Sequence, residues 1–430
     1  MRMPSICLDA RLAKYLQQFR GCFSQPQYPY FVTILLGLLL CQSSHTLTGI
    51  LRQVTAGVTL SGMSRFLSQA PWSVRDICRQ GQTAFQAAMI PMVQVEQARQ
   101  RQQRAKQRGR PRRTVVTGYL IGDDSVMQKQ RGRKMGGLGH HYSSTAEKTV
   151  SGHCRVQALY VLLGRQLALE PRMYAQQAVC ETEGEPFRSK VDIMMDIIHT
   201  FVPVPGTQTH VLLDSWYTAK RLWRAAQDRN FLITSGLRRN RCLRVEDPTS
   251  ATGWHWQRLD EYARQLTADD FVQVVWPRGV RSVYLHVVTT RIRKLYRCQL
   301  ICIREQPDGP TRFWASTDLQ ADADTLVVHI AQRWDIEVLF ADVKELLGLD
   351  HYQLMSRQAI RRYWVLVMVA YGFLEQERAQ LRQERGRHVT IGEAAREVQR
   401  VHWDHLLTWL HEQFTVHRVT ASDLQTFLLI

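Results

Sequence analysis

Three acidic residues of the chain stand where a fold can bring them to one site. Asp123 follows a strand-like run that starts at Thr114, Asp214 follows the apolar run VLL, and Glu337 lies in a segment with helical periodicity. Open α/β sheets present catalytic groups at strand ends. Carboxylates are the ligands that hard divalent cations such as Mg²⁺ prefer. These three side chains are therefore candidates for a functional site, and their chemical type would suit a divalent cation.

Two of these positions leave an alternative open. Asp124 replaces Asp123 as the first carboxylate if the strand register differs by one residue. The run Asp-Asp-Ser is also a good turn or helix-capping sequence, so this motif by itself is a weak signal. Asp214 is also suited to the positive end of the helix expected directly after it.

A single long helix is predicted over 322–348. Asp322 or Asp324 begins this helix and Gly348 ends it. Its apolar stripe consists of Val327, Ile330, Ala331, Trp334, Val338 and Leu339. The spacing Arg333-x3-Glu337-x6-Lys344 places two basic residues on the same face as Glu337. Ion pairs on a solvated helix give similar spacings, but the apolar and aromatic residues around this trio favour a protein groove.

The charge balance points to a polyanionic partner. The chain has 430 residues, with 56 Lys and Arg against 38 Asp and Glu, a formal charge of +18 and a pI near 9.8. Nucleic acid is the first candidate for such a partner. The apolar run 30–41 is too short for a membrane span, which needs about 20 residues, so a buried helix is predicted there. The nine cysteines form no CxxC pair, which favours reduced thiols and a cytoplasmic protein.

Three separated motifs resemble one known family. The segment RWDIEVLFADVKELLGLDHYQ is similar to the signature helix of bacterial insertion-sequence transposases of the DDE class, in the branch with a Tyr-Arg-Glu-Lys motif. The residues around Asp123 and the stretch VLLDSWYTAK resemble the first and second Asp motifs of that family. The Tyr expected three residues before Arg333 is replaced by Ile330, which puts one DNA contact in doubt.

The resemblance implies both a mechanism and partners. Asp123, Asp214 and Glu337 would be catalytic and would bind two Mg²⁺ ions, with Mn²⁺ as a substitute, while Arg333 and Lys344 hold phosphates of the element's end. The protein would cleave the ends of an insertion sequence and join them to target DNA, acting as a homodimer on terminal inverted repeats. A bacterial, nucleoid-associated location follows. The alternatives are a non-catalytic DNA-binding protein derived from a transposase and a metal-dependent DNA nuclease.

The implied architecture is an α/β ribonuclease-H-like catalytic domain with a β-rich insertion, flanked by helical N- and C-terminal regions. The predicted divisions are a helical DNA-binding domain 1–98, a basic linker 99–113, catalytic parts 114–235 and 319–375, the insertion 236–318 and a helical C-terminal region 376–430. Two short helices near 45–54 and 59–69 are compatible with a helix-turn-helix, although any helical bundle produces such pairs.

Further DNA-binding residues are predicted in three places. A glycine-rich loop carries Lys129, Arg131, Arg133 and Lys134, which suits a DNA backbone, while a plain hairpin loop is the alternative. In the linker, Arg108 and Arg110 resemble the core of an AT-hook, against a simple solvated linker. The resemblance also implies that one tryptophan of the insertion stacks on a flipped base; the candidates are Trp254, Trp256 and Trp276, each of which also suits a buried position in a sheet.

Overall fold

The computed structural model of the chain describes residues 3–4, 9–55, 57–105, 115–143, 146–279, 281–420 and 422–423. Its N-terminal helices are α1 (Ala10–Gln17), α2 (Tyr28–Leu40), α3 (Leu47–Gln53), α4 (Leu60–Ser68) and α5 (Val74–Ala105). Its central helices are α6 (Gln177–Glu183), α7 (Lys190–Thr200), α8 (Lys220–Asp228) and α9 (Leu259–Gln265). The C-terminal helices are α10 (Ala323–Gln332), α11 (Asp335–Glu345), α12 (Arg357–Arg385) and α13 (Ile391–Thr415).

The strands occupy mainly the middle of the chain. The first seven are β1 (Met3–Pro4), β2 (Val54–Thr55), β3 (Val116–Gln128), β4 (Gly139–Ser143), β5 (Lys148–Leu162), β6 (Arg165–Ala168) and β7 (Arg172–Tyr174). They are followed by β8 (Thr207–Leu213), β9 (Leu232–Leu237), β10 (Cys242–Glu246) and β11 (Trp254–Arg258). The last four are β12 (Val272–Val275), β13 (Ser282–Arg291), β14 (Arg297–Arg304) and β15 (Arg312–Ser316).

One large mixed sheet organises the molecule. Its strand order is β12-β13-β14-β15-β9-β8-β3-β5-β4, with β6 and β7 also paired to β5. The pairs β3–β8 and β8–β9 are parallel, whereas the other pairs of this sheet are antiparallel. Helical regions lie before and after the strands, so the predicted mixed α/β fold with helical N- and C-terminal regions is confirmed. Strands β12 to β15, from the predicted insertion, extend this same sheet.

The helix α12 is the centre of the largest hydrophobic cluster. Its Tyr363, Trp364 and Tyr371 are almost completely buried, because apolar side chains surround this helix on nearly all sides. Phe31 of α2 and Leu339 of α11 belong to the same cluster. The N-terminal helices therefore share a core with the segment that carries Glu337. No described helix is both long enough and apolar enough to cross a membrane.

The prediction of a single helix over 322–348 is wrong, because α10 ends at Gln332 and α11 begins at Asp335, so Arg333 and Trp334 interrupt the helix. At this interruption, the N–H groups of Arg333 and Trp334 donate to carbonyls three residues earlier, each at 3.3 Å, instead of four. The two helices also pack on different hydrophobic clusters, and Val327 lies in one while Leu339 lies in the other.

The exposure of two residues also differs from the prediction. Trp334 and Val338, predicted to belong to the apolar stripe, are 55% and 43% exposed. The predicted ends of the segment are correct: Asp322 caps α10 by accepting the Thr325 N–H at 2.9 Å, and Gly348 adopts a φ of +57° just after α11. Gly348 can adopt this left-handed conformation because it has no Cβ.

Candidate active site

The register of two parallel strands places the two aspartates side by side. Gly122 of β3 is opposite Leu213 of β8, and this is the last pair between the two strands. Asp123 and Asp214 are the next residues on each strand. Although β3 continues to Gln128, its parallel partner ends at this point, so both carboxylates lie at the carboxyl end of the parallel pairing. This is the edge at which open α/β sheets carry functional groups.

Asp123 lies in an environment that disfavours its charge. Burial, together with the negative charge of Asp214, raises the pKa of Asp123 to about 7, although Arg333 acts in the opposite direction. Burial also raises the pKa of Asp214, while the backbone N–H of Tyr217 and the charge of Arg333 oppose this shift. Two neighbouring carboxylates that resist ionisation gain strongly from a nearby cation.

Arg333 connects the first and third acidic residues. Its Nη1 lies 3.3 Å from Asp123 Oδ2, and its Nη2 donates to Glu337 Oε1. Arg333 lies in the interruption between α10 and α11, and its guanidinium contacts both carboxylates. Asp123, Asp214, Glu337 and Arg333 are thus brought together by β3, β8 and α11.

Asp124 faces the other side of the sheet. Its carboxylate pairs with Lys190 Nζ at 2.6 Å and accepts a hydrogen bond from Tyr217 Oη at 2.8 Å. Successive residues of a strand point to opposite faces, so Asp123 and Asp124 cannot both face Arg333. The structure places Asp123, and not Asp124, in contact with Arg333.

Asp214 also organises the turn that follows it. Its Oδ1 accepts the backbone N–H groups of Trp216 at 3.0 Å and Tyr217 at 3.2 Å. The helix α8 begins only at Lys220, with Ala219 at its N-cap, so Asp214 stabilises this turn and does not cap the helix. The turn leaves Trp216 45% exposed next to the carboxylates.

The amine of Lys344 is turned into the protein, whereas a phosphate ligand would be expected to face solvent. Its Nζ donates to the carbonyl of Val126 at 3.3 Å, and burial, with the charge of Arg155, lowers its pKa. Arg155 is fully buried, and its guanidinium carbon lies 4.5 Å from the centre of the Phe340 ring. Such a cation–π contact offsets part of the desolvation of a buried cation.

The three carboxylates are the type of ligand that Mg²⁺ prefers, but their oxygens do not all surround a single point. The oxygens of Asp123, Asp214 and Glu337 are not all within 4.8 Å of one another, and Arg333 bridges two of them. Hard oxygen donors and a carboxyl with a raised pKa fit a divalent cation, since the cation favours the ionised form. Arg333 occupies only one oxygen of each of these two carboxylates, Asp123 Oδ2 and Glu337 Oε1.

The predicted DNA-binding residues fall into different environments. In the loop between β3 and β4, Arg131, Arg133 and Lys134 are exposed, as predicted for contacts with a DNA backbone. Lys129 is instead turned inward: its Nζ donates to the carbonyls of Asp350 and Tyr352. Arg108 and Arg110 lie outside the described residues.

The three candidate tryptophans of the predicted insertion are not buried. Trp254 and Trp256 lie on the β10–β11 hairpin, with ring centres 5.4 Å apart, and Arg244 covers the Trp254 ring at 4.6 Å. Trp276 follows β12 and lies beneath Arg281, with the guanidinium carbon 5.0 Å from its ring centre. All three are half-buried or exposed, so the alternative of a buried sheet position does not hold for them.

Several residues of the site have no signal in the sequence. Lys190 and Tyr217 bind Asp124 from 66 and 93 positions away, and no local spacing predicts such contacts. Asp335, at the start of α11, accepts hydrogen bonds from Arg278 and Gln332. The aromatic pair after Asp214 was visible in the sequence, but only the turn shows that Trp216 is exposed and Tyr217 is buried.

Two family models match the sequence of this chain. The model of the family "DDE superfamily endonuclease" matches residues 18–268, and the model "Transposase DDE domain" matches residues 188–373. A search of the curated proteins finds no match. Among solved structures, the chain is similar to a piggyBac transposase in a synaptic complex with hairpin DNA, at 10% identity and a TM-score of 0.39.

This structural similarity covers 68% of the present chain and 54% of the piggyBac transposase, so the chain spans about half the length of that protein. The family model, by contrast, covers more than half of the present chain and includes both aspartates of the site. The second model includes Asp214 and Glu337. On the extent of the first match, the chain belongs to the DDE superfamily of endonucleases.

Proposed function

We propose that this protein is a DNA transposase that cleaves the ends of an insertion sequence and joins them to target DNA. The observation that carries this proposal is the position of Asp123 beside Asp214 at the end of the β3–β8 pairing, with Glu337 linked to Asp123 through Arg333. A ribonuclease-H-like catalytic fold is part of the proposal. It is supported by the mixed sheet, whose parallel pair carries both aspartates, and by the family to which the chain belongs.

In this proposal Asp123, Asp214 and Glu337 hold two Mg²⁺ ions, for which Mn²⁺ can substitute. When bound, such ions lower the pKa of the attacking water or 3′-hydroxyl and stabilise the leaving oxygen. The residues of the chain supply the rest. Asp123 loses the proton that its surroundings favour. When Arg333 no longer contacts the carboxylates, it can hold a phosphate through two parallel N–H donors.

The DNA is proposed to approach across the exposed basic loop between β3 and β4. Arg131, Arg133 and Lys134 would bind phosphates there, and the overall charge of +18 would attract the duplex. Trp216 and Trp334, both exposed near the carboxylates, join Trp254, Trp256 and Trp276 as candidates to stack on a base. Terminal inverted repeats, target DNA and a homodimer of this chain complete the proposed synaptic complex.

A cleavage assay tests the proposal directly. Purified protein and Mg²⁺ are incubated with a labelled duplex that carries the end of the flanking element and with a second duplex as target. We expect nicking at the element's end and joining to the target. Asp214→Asn and Glu337→Gln should lower both rates at least a hundredfold, about 2.7 kcal/mol in activation free energy, while the protein still binds the duplex.

Matched surface variants control for nonspecific effects. Glu345→Gln on the same helix α11 and Asp228→Asn at the end of α8 replace exposed carboxylates and should cleave like the wild type. Cleavage without joining would favour the nuclease alternative. Binding of the duplex without metal-dependent cleavage would overturn the enzymatic proposal and favour a non-catalytic DNA-binding protein.

A further inference from the structure

A second group of potential metal ligands lies on the same sheet, away from the three carboxylates. His210 of β8, Asp318 after β15 and His329 of α10 each offer one ligand atom, and these atoms all lie within 4.8 Å of one another. Both histidines are buried, at 0% and 3% exposure, and their ring centres are 4.1 Å apart. Asp318 is half-exposed and gives the group access to solvent.

Hydrogen bonds fix the orientation of the His210 ring. Its Nε2 lies 2.8 Å from Thr234 Oγ1, and the Thr234 hydroxyl donates its proton to Ser316 Oγ at 2.8 Å. Thr234 Oγ1 is therefore the acceptor, and His210 donates from Nε2. The other ring nitrogen, Nδ1, then carries a lone pair. A hydrogen bond from the outer nitrogen of an imidazole is the arrangement that orients metal-ligating histidines.

The inner nitrogens of both rings lack partners. Within the described part of the chain, His210 Nδ1 and His329 Nδ1 are buried and have no hydrogen-bond partner. Two histidines that only filled the core would be expected to satisfy these atoms, because an unpaired buried polar group costs about 1–3 kcal/mol. Neutral imidazole is the form that binds metal ions.

We propose that His210, Asp318 and His329 bind one divalent transition-metal ion, with Zn²⁺ as the ion that best fits the donor set. Two imidazole nitrogens and one carboxylate oxygen are common ligands of Zn²⁺, whereas Mg²⁺ prefers oxygen donors. The site is therefore chemically different from the three carboxylates. Its assignment does not depend on the proposed transposase activity.

The position of the site indicates its effect on the fold. It joins β8, the end of β15 and α10, three elements that are distant in sequence. His210 precedes Asp214 by four residues, about 13 Å along a strand, and His329 precedes Arg333 by four residues. An ion bound here would link α10 to the sheet directly before Arg333, which lies between α10 and α11.

The test uses the full chain with the carboxylate site disabled. The double variant Asp214→Asn with Glu337→Gln is stripped of metal with a chelator and titrated with Zn²⁺ and, separately, with Co²⁺. We expect one Zn²⁺ per chain, a higher Tm with Zn²⁺, and the intense visible absorption of a four- or five-coordinate Co²⁺ site. In this background His329→Asn should abolish the binding, and Asp318→Asn should weaken it at least tenfold.

A buried histidine elsewhere provides the control. His153, also fully buried, has partners on both ring nitrogens, Tyr352 Oη at 2.8 Å and the carbonyl of Gly136 at 3.2 Å. His153→Asn should leave the Zn²⁺ stoichiometry at one. The proposal is overturned if the double variant binds no Zn²⁺, or if His329→Asn and Asp318→Asn bind it as well as their parent. If those variants do not fold, weak octahedral Co²⁺ bands in the double variant overturn it equally.

Discussion

At the residue scale, the protonation of Asp123 is set by neighbours that only the fold supplies. The pKa of this carboxyl rises from 3.8 to about 7 because of burial first and the charge of Asp214 second. The folded chain therefore binds a proton here more tightly than the unfolded chain does. A raised pKa contributes stability that is fully present below pH 3.8 and is lost as the pH rises to about 7.

This linkage predicts how Asp123→Asn changes the stability of the metal-free protein. From pH 5 to pH 8, the wild type should lose more Tm than the variant does, because only the wild type must ionise Asp123 beside Asp214. Thermal unfolding in the presence of a chelator measures both slopes. Buried histidines such as His153, whose pKa burial lowers to about 4, oppose this trend in both proteins, so the difference between the proteins is the relevant quantity. Equal slopes would contradict the assignment.

At the scale of elements, Gly348 joins the end of α11 to the N-terminal helices. Its φ is +57°, and a Cβ at this position would lie 2.5 Å from the Cβ of the buried His45. Tyr363 Oη donates to the carbonyls of both His45 and Gly348 at 2.9 Å. The end of α11 is therefore held against the segment that precedes α3, and this contact helps to fix where Glu337 lies.

Substitution of Gly348 by Ala should destabilise the protein more than the same change at Gly386. Gly386 ends α12 with a similar φ of +61°, but a Cβ added there would meet no atom of the described residues within 4 Å. Gly386→Ala should thus show only the backbone cost, about 1–2 kcal/mol. Gly348→Ala should add about 1–3 kcal/mol for the clash with His45. Urea denaturation measures the free energy of unfolding of both variants. Equal losses would show that His45 moves aside without cost when a Cβ is added at Gly348.

At the scale of the whole molecule, Arg362 of α12 connects this helix to the N-terminal helices through hydrogen bonds. This arginine is 4% exposed, and its guanidinium donates to the carbonyls of Phe66, Leu67 and Trp72 at 3.4, 3.1 and 2.5 Å. It also lies over the Trp72 ring, 4.3 Å from its centre. The carbonyls at the end of α4 are thereby satisfied by a helix almost 300 residues later in the chain.

Arg362→Ala should therefore destabilise the chain by about 3 kcal/mol, because the buried carbonyls of Leu67 and Trp72 lose this donor, whereas the Phe66 carbonyl still accepts from Trp72 Nε1. The neighbouring Arg361 is the matched control: it is exposed and pairs with Glu170 at 3.1 Å. Arg361→Ala should cost less than about 1 kcal/mol. Denaturation of both variants checks the prediction, and a similar small loss in both would mean that the N-terminal helices are held by apolar packing alone.

Local signals in the sequence were sufficient for several parts of the fold. The apolar run 30–41 lies almost entirely in the buried helix α2, as predicted, and the capping box of Thr390 and Glu393 at the start of α13 is formed by residues only three positions apart. Helix ends at Asp322 and Gly348 were also predicted correctly. Each of these features depends on residues that are close in the chain, so the chain itself contains the relevant information.

The candidate site was predictable only in part, for the same reason. The types and spacing of Asp123, Asp214 and Glu337 were visible in the sequence, whereas the choice between Asp123 and Asp124 to face Arg333 required the strand orientation. The interruption of the helix at Arg333 and Trp334 was not predicted, and α10 and α11 pack on clusters formed by distant strands and helices. The cluster of His210, Asp318 and His329 likewise has no spacing signal. The sequence by itself determined which side chains can bind metal and phosphate and where local elements begin and end. The tertiary structure decided which of them meet, because burial, strand register and long-range packing depend on residues hundreds of positions apart.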